Sequence, residues 1–498
     1  MPELKHMKKT IGFFAKPIVA AAATLLLNNF LYAQQYTADS KHPNIIIIFC
    51  DDLGYGDIGK YGATLYTTPN IDKLANQGML FTQFYAAEAV CSASRAALLT
   101  GCYPNRINIF NALMPSSKTG LSKEEKTIAE VLKEKNYATA VFGKWHVGWQ
   151  KQFLPLQHGF DEYLGLPYSN DMWPVDYDGN PVTDTTDKRS KYPPLPLING
   201  NEKIKTIATL EDQATLTTLY TEKAVDFITR NKQKPFFLYL AHSMPHVPIA
   251  ASSKFKGKSK QGLYGDVIEE IDWSAGEIMK TLARYNLENN TLVVFTSDNG
   301  PWLNFGNHAG STGGLREGKG TSWEGGQKEP CVMRWPGVIP AGAVCNKLAS
   351  TIDLLPTIAA ITEGKLPEHK IDGVNIISLL KGDAAAEPRK VFYYYYATNQ
   401  LEAVRRDQWK LVLPHVGRSY EGFAPGKDGH AGQTNEKRQY ELALYDLRRD
   451  PGERYDVKDN YPEIVEALQK LAEEARDDMG DAVTNRKGKN VRDCGHEK

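Results

Sequence analysis

The chain alternates continuous apolar runs with amphipathic stretches over most of its first 300 residues. Apolar runs such as 45–49, 236–241 and 292–295 have the length and the β-branched or aromatic content of strands that are buried on both faces. Between them, apolar residues recur at helical spacing, for example around 222–231 and 268–282. This alternation predicts an α/β domain with a large, mostly parallel sheet between helices.

A different pattern follows a polar linker at 382–390. The stretches VFYYYYAT (391–398), EAVRRDQWKLVL (402–413) and ELALYDL (441–447) predict antiparallel strands, and a final amphipathic helix follows them. The glycine-rich segment 415–434 is interpreted as a loop. The polar end of the chain, from about residue 480, is expected to be disordered.

The first 35 residues differ from both of these patterns. Lysines precede the apolar run IVAAAATLLL (18–27), and the small residue Ala33 comes shortly afterwards, before Gln34. This order of basic, apolar and cleavable segments is typical of a secretory signal peptide, here at 1–33, and the apolar run is short for a membrane span. We therefore expect an exported protein, periplasmic or secreted, without stable membrane insertion.

The charge balance limits the classes of binding partner, and the cysteine pattern limits the possible metal sites and disulfides. Lysine plus arginine and aspartate plus glutamate each number 59, so no net charge attracts nucleic acid or an anionic membrane. The six cysteines show no C-x-x-C pair and no zinc spacing, but in an oxidising compartment their scattered positions allow disulfides. If Cys91 is set aside for chemistry, an odd number remains, so at least one thiol is expected to be free.

Acidic and amide side chains follow two of the predicted strands directly. Asp51 and Asp52 end the first strand, and Asp298 and Asn299 end a later one. Each pair alone is more typical of a turn that caps a strand. However, the carboxyl ends of strands in an open α/β sheet meet at one crevice, and basic residues follow the neighbouring strands. Together these oxygen ligands predict a site for Ca²⁺ or Mg²⁺.

Basic side chains lie at other strand ends and in a glycine-rich loop. Lys144 and His146 lie in GKWHVG, His246 lies in HSMPHVP and Lys319 lies in GKGTSWEGG. Any one of them alone would more often be a structural or surface group, as we interpret His242. Together they predict a pocket for a tetrahedral anion, because such an anion needs several cationic donors and a divalent cation on another oxygen.

The segment CSASRAALLTG (91–101) carries the most specific signal. Cys91, Ala93 and Arg95 match the Cys-x-Pro/Ala-x-Arg signature of the type I sulfatases, which the chain resembles from about 43 to 475. The motifs DDLGYGD, GKWHVG, PHVP, TSDNG and GKGTSWEGGQKEPCVMRWPG also appear in the order typical of that family. The stretch EYLGLPYSNDMWP and the GKGTSWEGG block look most similar to the branch of arylsulfatase A and N-acetylgalactosamine-6-sulfatase.

This resemblance implies a fold and a domain organisation. The implied fold is alkaline-phosphatase-like, with a large mixed, mostly parallel sheet between helices and a smaller C-terminal antiparallel sheet with a helix. The implied parts are a signal peptide at 1–33, a catalytic sulfatase domain at 43–385, a C-terminal α+β subdomain at 390–480 and a flexible tail at 481–498.

The resemblance also implies the cofactors. A formylglycine-generating or anaerobic sulfatase-maturing enzyme would oxidise Cys91 to Cα-formylglycine, whose hydrated aldehyde attacks sulfur. One divalent cation, Ca²⁺ or alternatively Mg²⁺, would be held by Asp51, Asp52, Asp298, Asn299 and the modified Cys91.

The remaining catalytic roles are carried over in the same way. Arg95 would steady the nucleophile, and Lys144 and Lys319 would bind the sulfate oxygens. His246 would protonate the leaving sugar oxygen, with Lys319 nearby, and His146 would remove the proton that lets the sulfated intermediate collapse. This is covalent catalysis with general acid–base assistance.

The substrate is less clearly specified than the reaction. The resemblance suggests a sulfated carbohydrate that contains galactose or N-acetylgalactosamine, and a pocket favours exo action. Asp171, Trp173 and His308 lie in loops where they could contact a sugar, although Trp173 could equally be a packed loop anchor.

Two other functions stay open. One is a phosphatase, phosphodiesterase or phosphonate hydrolase of the same fold, although such relatives usually carry threonine or serine and two zinc ions. The other is a non-catalytic glycan-binding protein, which the retention of every metal ligand and pocket lysine disfavours.

Overall fold

The computed structural model describes residues 42–497, so the signal peptide expected at 1–33 lies outside the described residues. The strands of this range are β1 (Asn44–Cys50), β2 (Met79–Phe81), β3 (Phe84–Tyr85), β4 (Thr119–Gly120), β5 (Ala138–Gly143), β6 (Glu162–Gly165), β7 (Leu195–Asn199), β8 (Glu202–Ile207), β9 (Phe236–Ala241), β10 (Thr291–Ser297), β11 (Cys331–Arg334), β12 (Ala343–Cys345), β13 (Ala349–Ser350), β14 (Val391–Tyr396), β15 (Gln400–Arg406), β16 (Trp409–Val412), β17 (His415–Ser419), β18 (Asn435–Tyr440), β19 (Ala443–Asp446) and β20 (Gly495–His496).

The α-helices of the same range are α1 (Pro69–Asn76), α2 (Cys91–Thr100), α3 (Ile128–Lys133), α4 (Leu210–Ala214), α5 (Leu216–Asn231), α6 (Leu263–Arg284), α7 (Glu324–Gln327), α8 (Leu354–Ile361), α9 (Ile377–Leu380) and α10 (Pro462–Met479). None of the helices in 42–497 has the length and the hydrophobicity needed to cross a bilayer.

Ten strands form one large mixed sheet in the spatial order β12-β2-β11-β10-β1-β9-β5-β6-β7-β8. Its centre, from β10 through β1, β9 and β5 to β6, is parallel. Towards the edges, β11 and β7 pair antiparallel with their neighbours. The mixed, mostly parallel sheet predicted from the alternation of strands and helices is therefore confirmed.

Helices cover both faces of this sheet because the central strands are apolar along most of their length and buried on both faces. On β1, Ile46 and Ile48 pack into one core with α5 and α6. Ile45, Ile47 and Phe49 point the other way, into a second core with α2, α3 and α8. Successive side chains of a strand point to opposite faces, so two covered faces account for the continuous apolar runs.

The C-terminal part forms a separate antiparallel sheet with the order β14-β15-β16-β19, and α10 packs against it. The predicted strand stretch 402–413 is divided into β15 and β16 by a tight turn, in which Asp407 adopts a φ of 56°. On α10, Leu468, Ala472 and Ala475 are buried at the helical spacing that predicted the helix.

The expectation of a loop over 415–434 is wrong for its first five residues. β17 pairs antiparallel with β18, from His415 opposite Tyr440 to Ser419 opposite Asn435. Strand pairing and side-chain hydrogen bonds stabilise β17, and its residues are mostly polar. Its sequence therefore lacks the alternation of apolar residues from which a strand is predicted.

The expectation of a flexible tail at 481–498 is also wrong for the residues described. β20 pairs with β4, and the main-chain N–H of Arg492 donates to the carbonyl of Arg106 at 2.7 Å. The Arg492 guanidinium also donates to both carboxylate oxygens of buried Glu125, at 2.6 and 2.9 Å. Polar contacts hold this segment, and composition alone does not show them.

All six cysteines are free thiols, so none of the disulfides that the sequence allowed is formed. Cys331 and Cys345 lie on β11 and β12, which pair with opposite sides of β2 opposite the same residue, Phe81. Strands two places apart are about 9.5 Å from each other, which is beyond the reach of a disulfide.

Candidate active site

Four neighbouring parallel strands carry the predicted site residues to one rim of the large sheet. β10, β1, β9 and β5 lie side by side, so their carboxyl ends meet as the strand-end rule predicts. The residues at these ends are Asp51 and Asp52 after β1, Lys144 and His146 after β5, His246 beyond β9, and Asp298 and Asn299 after β10.

Cys91 is the first residue of α2, and its side chain faces this rim. Its Sγ lies 3.4 Å from Oδ1 of Asp51 and 3.5 Å from Nζ of Lys319. Burial, reinforced by the Asp51 carboxylate, raises the pKa of the Cys91 thiol far above its usual value. An unmodified Cys91 is therefore a protonated thiol at neutral pH and a poor nucleophile.

Three buried carboxylates pair with three buried cations around Cys91, and we call these six residues the catalytic cluster. Its ion pairs are Lys144 with Asp51, Lys319 with Asp52 at 2.9 Å, and Arg95 with Asp298 at 2.8 and 3.0 Å. Arg95 stands one helical turn after Cys91 on α2, which places its guanidinium under the nucleophile position.

The carboxylates of the cluster have opposite pKa shifts. Burial raises the pKa of Asp51, but the charges of Lys144, His246 and Arg95 outweigh burial and hold that pKa well below its usual range. Burial and the neighbouring Asp51 carboxylate raise the pKa of Asp298 to about 7, despite Arg95. Crowded carboxylates of this kind ionise together only when further positive charge joins them.

The C-terminal part of the chain holds the loop that carries Lys319. The hydroxyl of Tyr420 donates to the carbonyl of Lys319 at 2.6 Å. Glu317, two residues before Lys319, accepts the Ser419 hydroxyl at 2.6 Å and the Tyr420 N–H at 2.8 Å. The position of Lys319 therefore depends on residues at the end of β17 and just after it.

The two histidines differ in which ring nitrogen is free. Nδ1 of His246 lies 2.5 Å from the carbonyl oxygen of Val247, so this nitrogen carries the proton and Nε2 faces Asp52 at 3.6 Å. Nε2 of His146 donates to the carbonyl of Leu113 at 3.0 Å. Its Nδ1 is buried and has no partner among residues 42–497, and burial with Lys144 holds the pKa of this imidazole well below its usual range.

The cluster fits a divalent cation. Donor atoms of Asp51, Asp52, Cys91 and His246 lie within 4.8 Å of one another. Asn299 adjoins them, since its Nδ2 donates to Oδ1 of Asp52 at 2.7 Å. Its own Oδ1 is buried without a donor in the part of the chain that the structure describes, and a cation would satisfy that oxygen.

One predicted ligand, Asp298, and one predicted acid, His246, stand differently from what the sequence indicated. Oδ2 of Asp298 accepts hydrogen bonds from Arg95, and its Oδ1 accepts the main-chain N–H of Asp52 at 3.1 Å. Both oxygens of this carboxylate therefore already have protein partners, and Asp298 is not in the group of donor atoms within 4.8 Å of one another. His246, which sequence reasoning assigned to acid catalysis alone, stands within the group of donor atoms.

A cavity of about 270 Å³ opens above Cys91. Its floor contains Cys91, His146, His246 and Lys319, and its walls come from the loops after α2 and β6, from the segment after β10, and from the C-terminal sheet. The wall residues are Val90, Asn111, Ala112, Met114, Ser169, Asp171, Met172, Lys188, Tyr192, Trp302, Tyr396 and Arg418.

The structure separates the three candidate sugar contacts. Asp171 lines the cavity, whereas Trp173 is 1% exposed and belongs to the core beside α5 and α6, as a packed loop anchor. His308 is not among the lining residues. Sequence reasoning missed Trp302, whose ring meets His246 edge-on at 5.6 Å, and Arg418, which lies in the segment interpreted as a loop.

A carboxylate cluster that accepts a cation, at the floor of a small cavity with lysines and histidines, suits an ester that carries a tetrahedral anionic group. Such a floor at the carboxyl rim of an α/β sheet defines a hydrolase of anionic esters.

Comparison with known proteins identifies the family. Residues 43–364 match the family model described as Sulfatase, and residues 387–496 match the C-terminal region of aryl-sulfatase. The chain belongs to the sulfatase family, and it is a sulfatase. The resemblance read from the signature around Cys91 is therefore confirmed.

Individual relatives agree with this assignment. The chain is 38% identical to arylsulfatase A of Bos taurus over 452 residues, which cover 87% of each protein. It is 37% identical to N-acetylgalactosamine-6-sulfatase of Mus musculus over 470 residues, 90% of this chain and 88% of the relative. The crystal structure of the PsFucS1 sulfatase from Pseudoalteromonas sp. matches with a TM-score of 0.77 at 28% identity, covering 92% of this chain and 94% of that one.

Proposed function

We propose that the protein removes sulfate from a sulfated carbohydrate and that Cys91, once oxidised to Cα-formylglycine, carries the nucleophile. The observation behind this proposal is the position of Cys91, at the start of α2, on the cavity floor and beside Asp51 and Lys319. The partners that make the residue are a formylglycine-generating or an anaerobic sulfatase-maturing enzyme. The hydrated aldehyde supplies a hydroxyl nucleophile where a buried thiol would stay protonated.

One divalent cation belongs to the proposed site, with Ca²⁺ as the first choice and Mg²⁺ as the alternative. The oxygen-rich donor set and the buried, unpaired Oδ1 of Asn299 support it. When bound, the cation supplies positive charge next to the nucleophile and the sulfate. The residues proposed to hold it are Asp51, Asp52, the modified Cys91, Asp298 and Asn299.

The other residues of the floor bind the sulfate and move protons. Lys144 and Lys319 bind sulfate oxygens, and Arg95 keeps the start of α2 and Asp298 in place. For this step His246 has to be the imidazolium: the Nδ1 proton stays on the main-chain carbonyl of Val247, and the second proton, on Nε2, passes to the leaving sugar oxygen. At Nδ1, which has no partner among residues 42–497, His146 accepts the proton of the second hydroxyl, and this lets the sulfated intermediate collapse.

The proposed substrate is a sulfate ester of galactose or N-acetylgalactosamine at the end of a glycan. Similarity to N-acetylgalactosamine-6-sulfatase over 90% of the chain supports this sugar class. The cavity of about 270 Å³ is just below the range of about 300–1,000 Å³ that is typical of small-molecule sites. A single terminal sugar fits such a cavity better than the middle of a polymer, which favours exo action.

The proposed site of action is outside the cytoplasm, in the periplasm or the medium. The order of basic, apolar and cleavable segments in 1–33 supports export. A glycan-degrading enzyme would meet its polymeric substrate there.

Two measurements test the proposal. Mass spectrometry of the peptide that spans Cys91, from a host with a maturing enzyme, should show the aldehyde in place of the thiol. Sulfate release should then be compared across galactose and N-acetylgalactosamine sulfated at single positions, with phosphate and phosphonate esters of the same sugars as competitors. A fully unmodified thiol in active protein, or faster turnover of the phosphorus esters, would refute the proposal. Binding of the sulfated sugars without sulfate release would instead indicate a glycan-binding protein.

A further inference from the structure

The outer wall of the cavity carries two charged side chains that the proposed reaction steps do not use. Asp171 lies in the loop after β6, and Arg418 lies on β17 of the C-terminal part. Both line the cavity whose floor contains Cys91. We propose that Asp171 and Arg418 bind hydroxyl oxygens of the sugar that carries the sulfate, and so determine which sugar is accepted. This inference rests on the proposed function.

Asp171 offers a hydrogen-bond acceptor without a donor. Its Oδ1 is buried, and no group within residues 42–497 donates a hydrogen bond to it. A buried acceptor left unsatisfied is costly, so such atoms usually have a partner that is not part of the chain. A rotation of the carboxylate about its Cβ–Cγ bond would turn this oxygen towards the cavity, where a sugar hydroxyl would donate the missing hydrogen bond.

Arg418 offers donors that are held in a fixed place. Its Nε donates to both carboxylate oxygens of Glu436 on β18, at 2.9 and 3.1 Å. Its main-chain carbonyl accepts the hydroxyl of Tyr440 at 2.9 Å, so both the backbone and one edge of the guanidinium are fixed. The guanidinium also makes a side-chain hydrogen bond with Tyr420. Its remaining N–H groups are the ones we assign to a ligand, in the rigid fork that arginine presents.

Gly320 makes room for this guanidinium. It has a φ of 77°, and a Cβ added there would lie 2.5 Å from Nη1 of Arg418. Gly320 directly follows Lys319, which belongs to the catalytic cluster. The arginine is therefore packed against the loop that carries the sulfate-binding lysine.

The charges of this wall favour neutral hydroxyls over a second anionic group. Glu436 offsets the charge of Arg418, and Asp171 contributes a negative charge of its own. Lys188 also lines the cavity, but it stands at the exposed rim. A hydroxyl both donates and accepts, so it matches an acceptor and a donor on two walls. Tyr192 and Tyr396 add aromatic surface between them for the sugar ring.

Steady-state kinetics of Asp171→Asn and Arg418→Gln would test this inference. Each variant should be assayed on a sulfated monosaccharide that the enzyme accepts and on 4-nitrophenyl sulfate. We expect the ratio of kcat/KM for the sugar sulfate to kcat/KM for the aryl sulfate to fall about 10- to 100-fold in each variant, the usual size for a lost hydrogen bond to a charged group. Asp178→Asn, in the same loop, and Arg438→Gln, on β18, are matched controls outside the cavity, and their ratios should stay within about threefold of wild type.

A second arm uses substrates that lack one hydroxyl at a time. For the wild-type enzyme, kcat/KM on at least one such deoxy sugar sulfate should be about 10-fold or more below kcat/KM on the full sugar sulfate. In Arg418→Gln or Asp171→Asn, removing that same hydroxyl should cause no further decrease in kcat/KM. Unchanged ratios in both variants would overturn the inference. The inference would also be overturned if a second sulfate or a carboxylate on the sugar raised kcat/KM tenfold and Arg418→Gln abolished this gain. Arg418 would then bind an anion. If the wild-type enzyme released sulfate from none of the sulfated sugars, that result would contradict the proposed function instead.

Discussion

Two regions of the molecule bury several charges, and they differ in how completely those charges are matched. One is the catalytic cluster, and the other lies where the C-terminal sheet meets the larger domain. In this second region Lys410 on β16 lies between Glu324 on α7 and Glu453, with Tyr85 and Tyr394 beside them. We call these five residues the junction cluster.

Every side chain of the junction cluster has a polar partner in the described chain, although burial and the Glu324 carboxylate raise the pKa of Glu453 to about 7 despite Lys410. Glu324 accepts the hydroxyls of Tyr85 at 2.6 Å and Tyr394 at 2.8 Å, and Lys410 donates to the carbonyl of Ser322 at 2.7 Å. Glu453 accepts the main-chain N–H of Glu324 at 2.7 Å. Burial raises the pKa of Glu324, but Lys410 and its other cationic neighbours lower that pKa to about 2.

The catalytic cluster is equally buried and remains incomplete. Next to its six residues, Oδ1 of Asn299 and Nδ1 of His146 have no partner in the described chain, and Cys91 lines a cavity. Burying a charge is costly in both places. In the junction the chain itself supplies the polar partners where the C-terminal sheet meets the rest of the protein. Around the catalytic cluster the unpartnered atoms and the cavity are consistent with the cation, the sulfate and the proton transfer that we propose.

The largest effect should come from removing the nucleophile position. Cys91→Ala should lower kcat for sulfate release by at least about 10⁴-fold, because no other group takes over covalent attack. Sulfate release by ion chromatography measures it. Cys102→Ala, which removes another buried thiol outside the cavity, should keep turnover per folded molecule; equal loss in both variants would show that packing explains the effect.

Metal removal should come next. Dialysis against a chelator should lower activity about 10²-fold or more, and added Ca²⁺ should restore it, because the catalytic cluster lacks the positive charge that the cation brings. Activity and calorimetric Tm, before and after the addition of Ca²⁺, Mg²⁺ and Zn²⁺, measure it. Restoration by Zn²⁺ alone would contradict a hard, oxygen-based site.

His246→Ala should depend on the leaving group. We expect about a 10²- to 10⁴-fold loss of kcat on a sugar sulfate and a much smaller loss on 4-nitrophenyl sulfate, whose leaving oxygen needs no proton. His308→Ala, outside the cavity, serves as the control. Equal losses on both substrates would indicate that His246 holds the cation and does not donate the proton.

Opening the junction cluster should affect stability. Lys410→Met should lower the free energy of unfolding by about 3–5 kcal/mol, because it leaves two buried carboxylates without their cation. Urea unfolding followed by circular dichroism measures it, and turnover of the molecules that remain folded should persist. Lys437→Met, on the exposed face of β18, should change stability by less than about 0.5 kcal/mol. A similarly small effect of Lys410→Met would mean that water solvates the Glu324 and Glu453 carboxylates when the lysine is absent.

The smallest effect concerns the C-terminal tail. Arg492→Ala should lower the free energy of unfolding of the tail by about 1–3 kcal/mol, because buried Glu125 loses the two hydrogen bonds that the Arg492 guanidinium donates. Amide hydrogen exchange over 481–497 measures it and should speed up in the variant. The exposed Lys487→Ala should leave exchange unchanged. If Arg492→Ala does so too, the tail is held by its main-chain hydrogen bonds and by the pairing of β20 with β4, and the guanidinium is not needed.

The sequence made the large sheet and the floor of the site predictable, because strong local rules apply there. Apolar runs mark strands covered on both faces, and polar residues directly after them mark the carboxyl rim. Asp51, Lys144 and Asp298 meet for this reason, although long stretches of chain separate them.

The wall of the site and the C-terminal tail were not predictable in this way. Arg418 reaches the cavity because a polar strand pairs with β18 and docks on Glu317, and neither contact leaves a local pattern. Arg492 finds Glu125 across 367 positions of sequence. Trp173, which composition alone would allow as a sugar contact, is packed in the core.

The burial of Cys91 has a consequence for when the residue can be oxidised. Its side chain is 2% exposed, and every other residue of α2 is buried as well. A modifying enzyme has to grip the surrounding peptide, and in the finished protein that peptide lies inside the domain. The oxidation proposed for Cys91 therefore belongs to the interval between synthesis and folding, and a chain that folds too early stays permanently inactive.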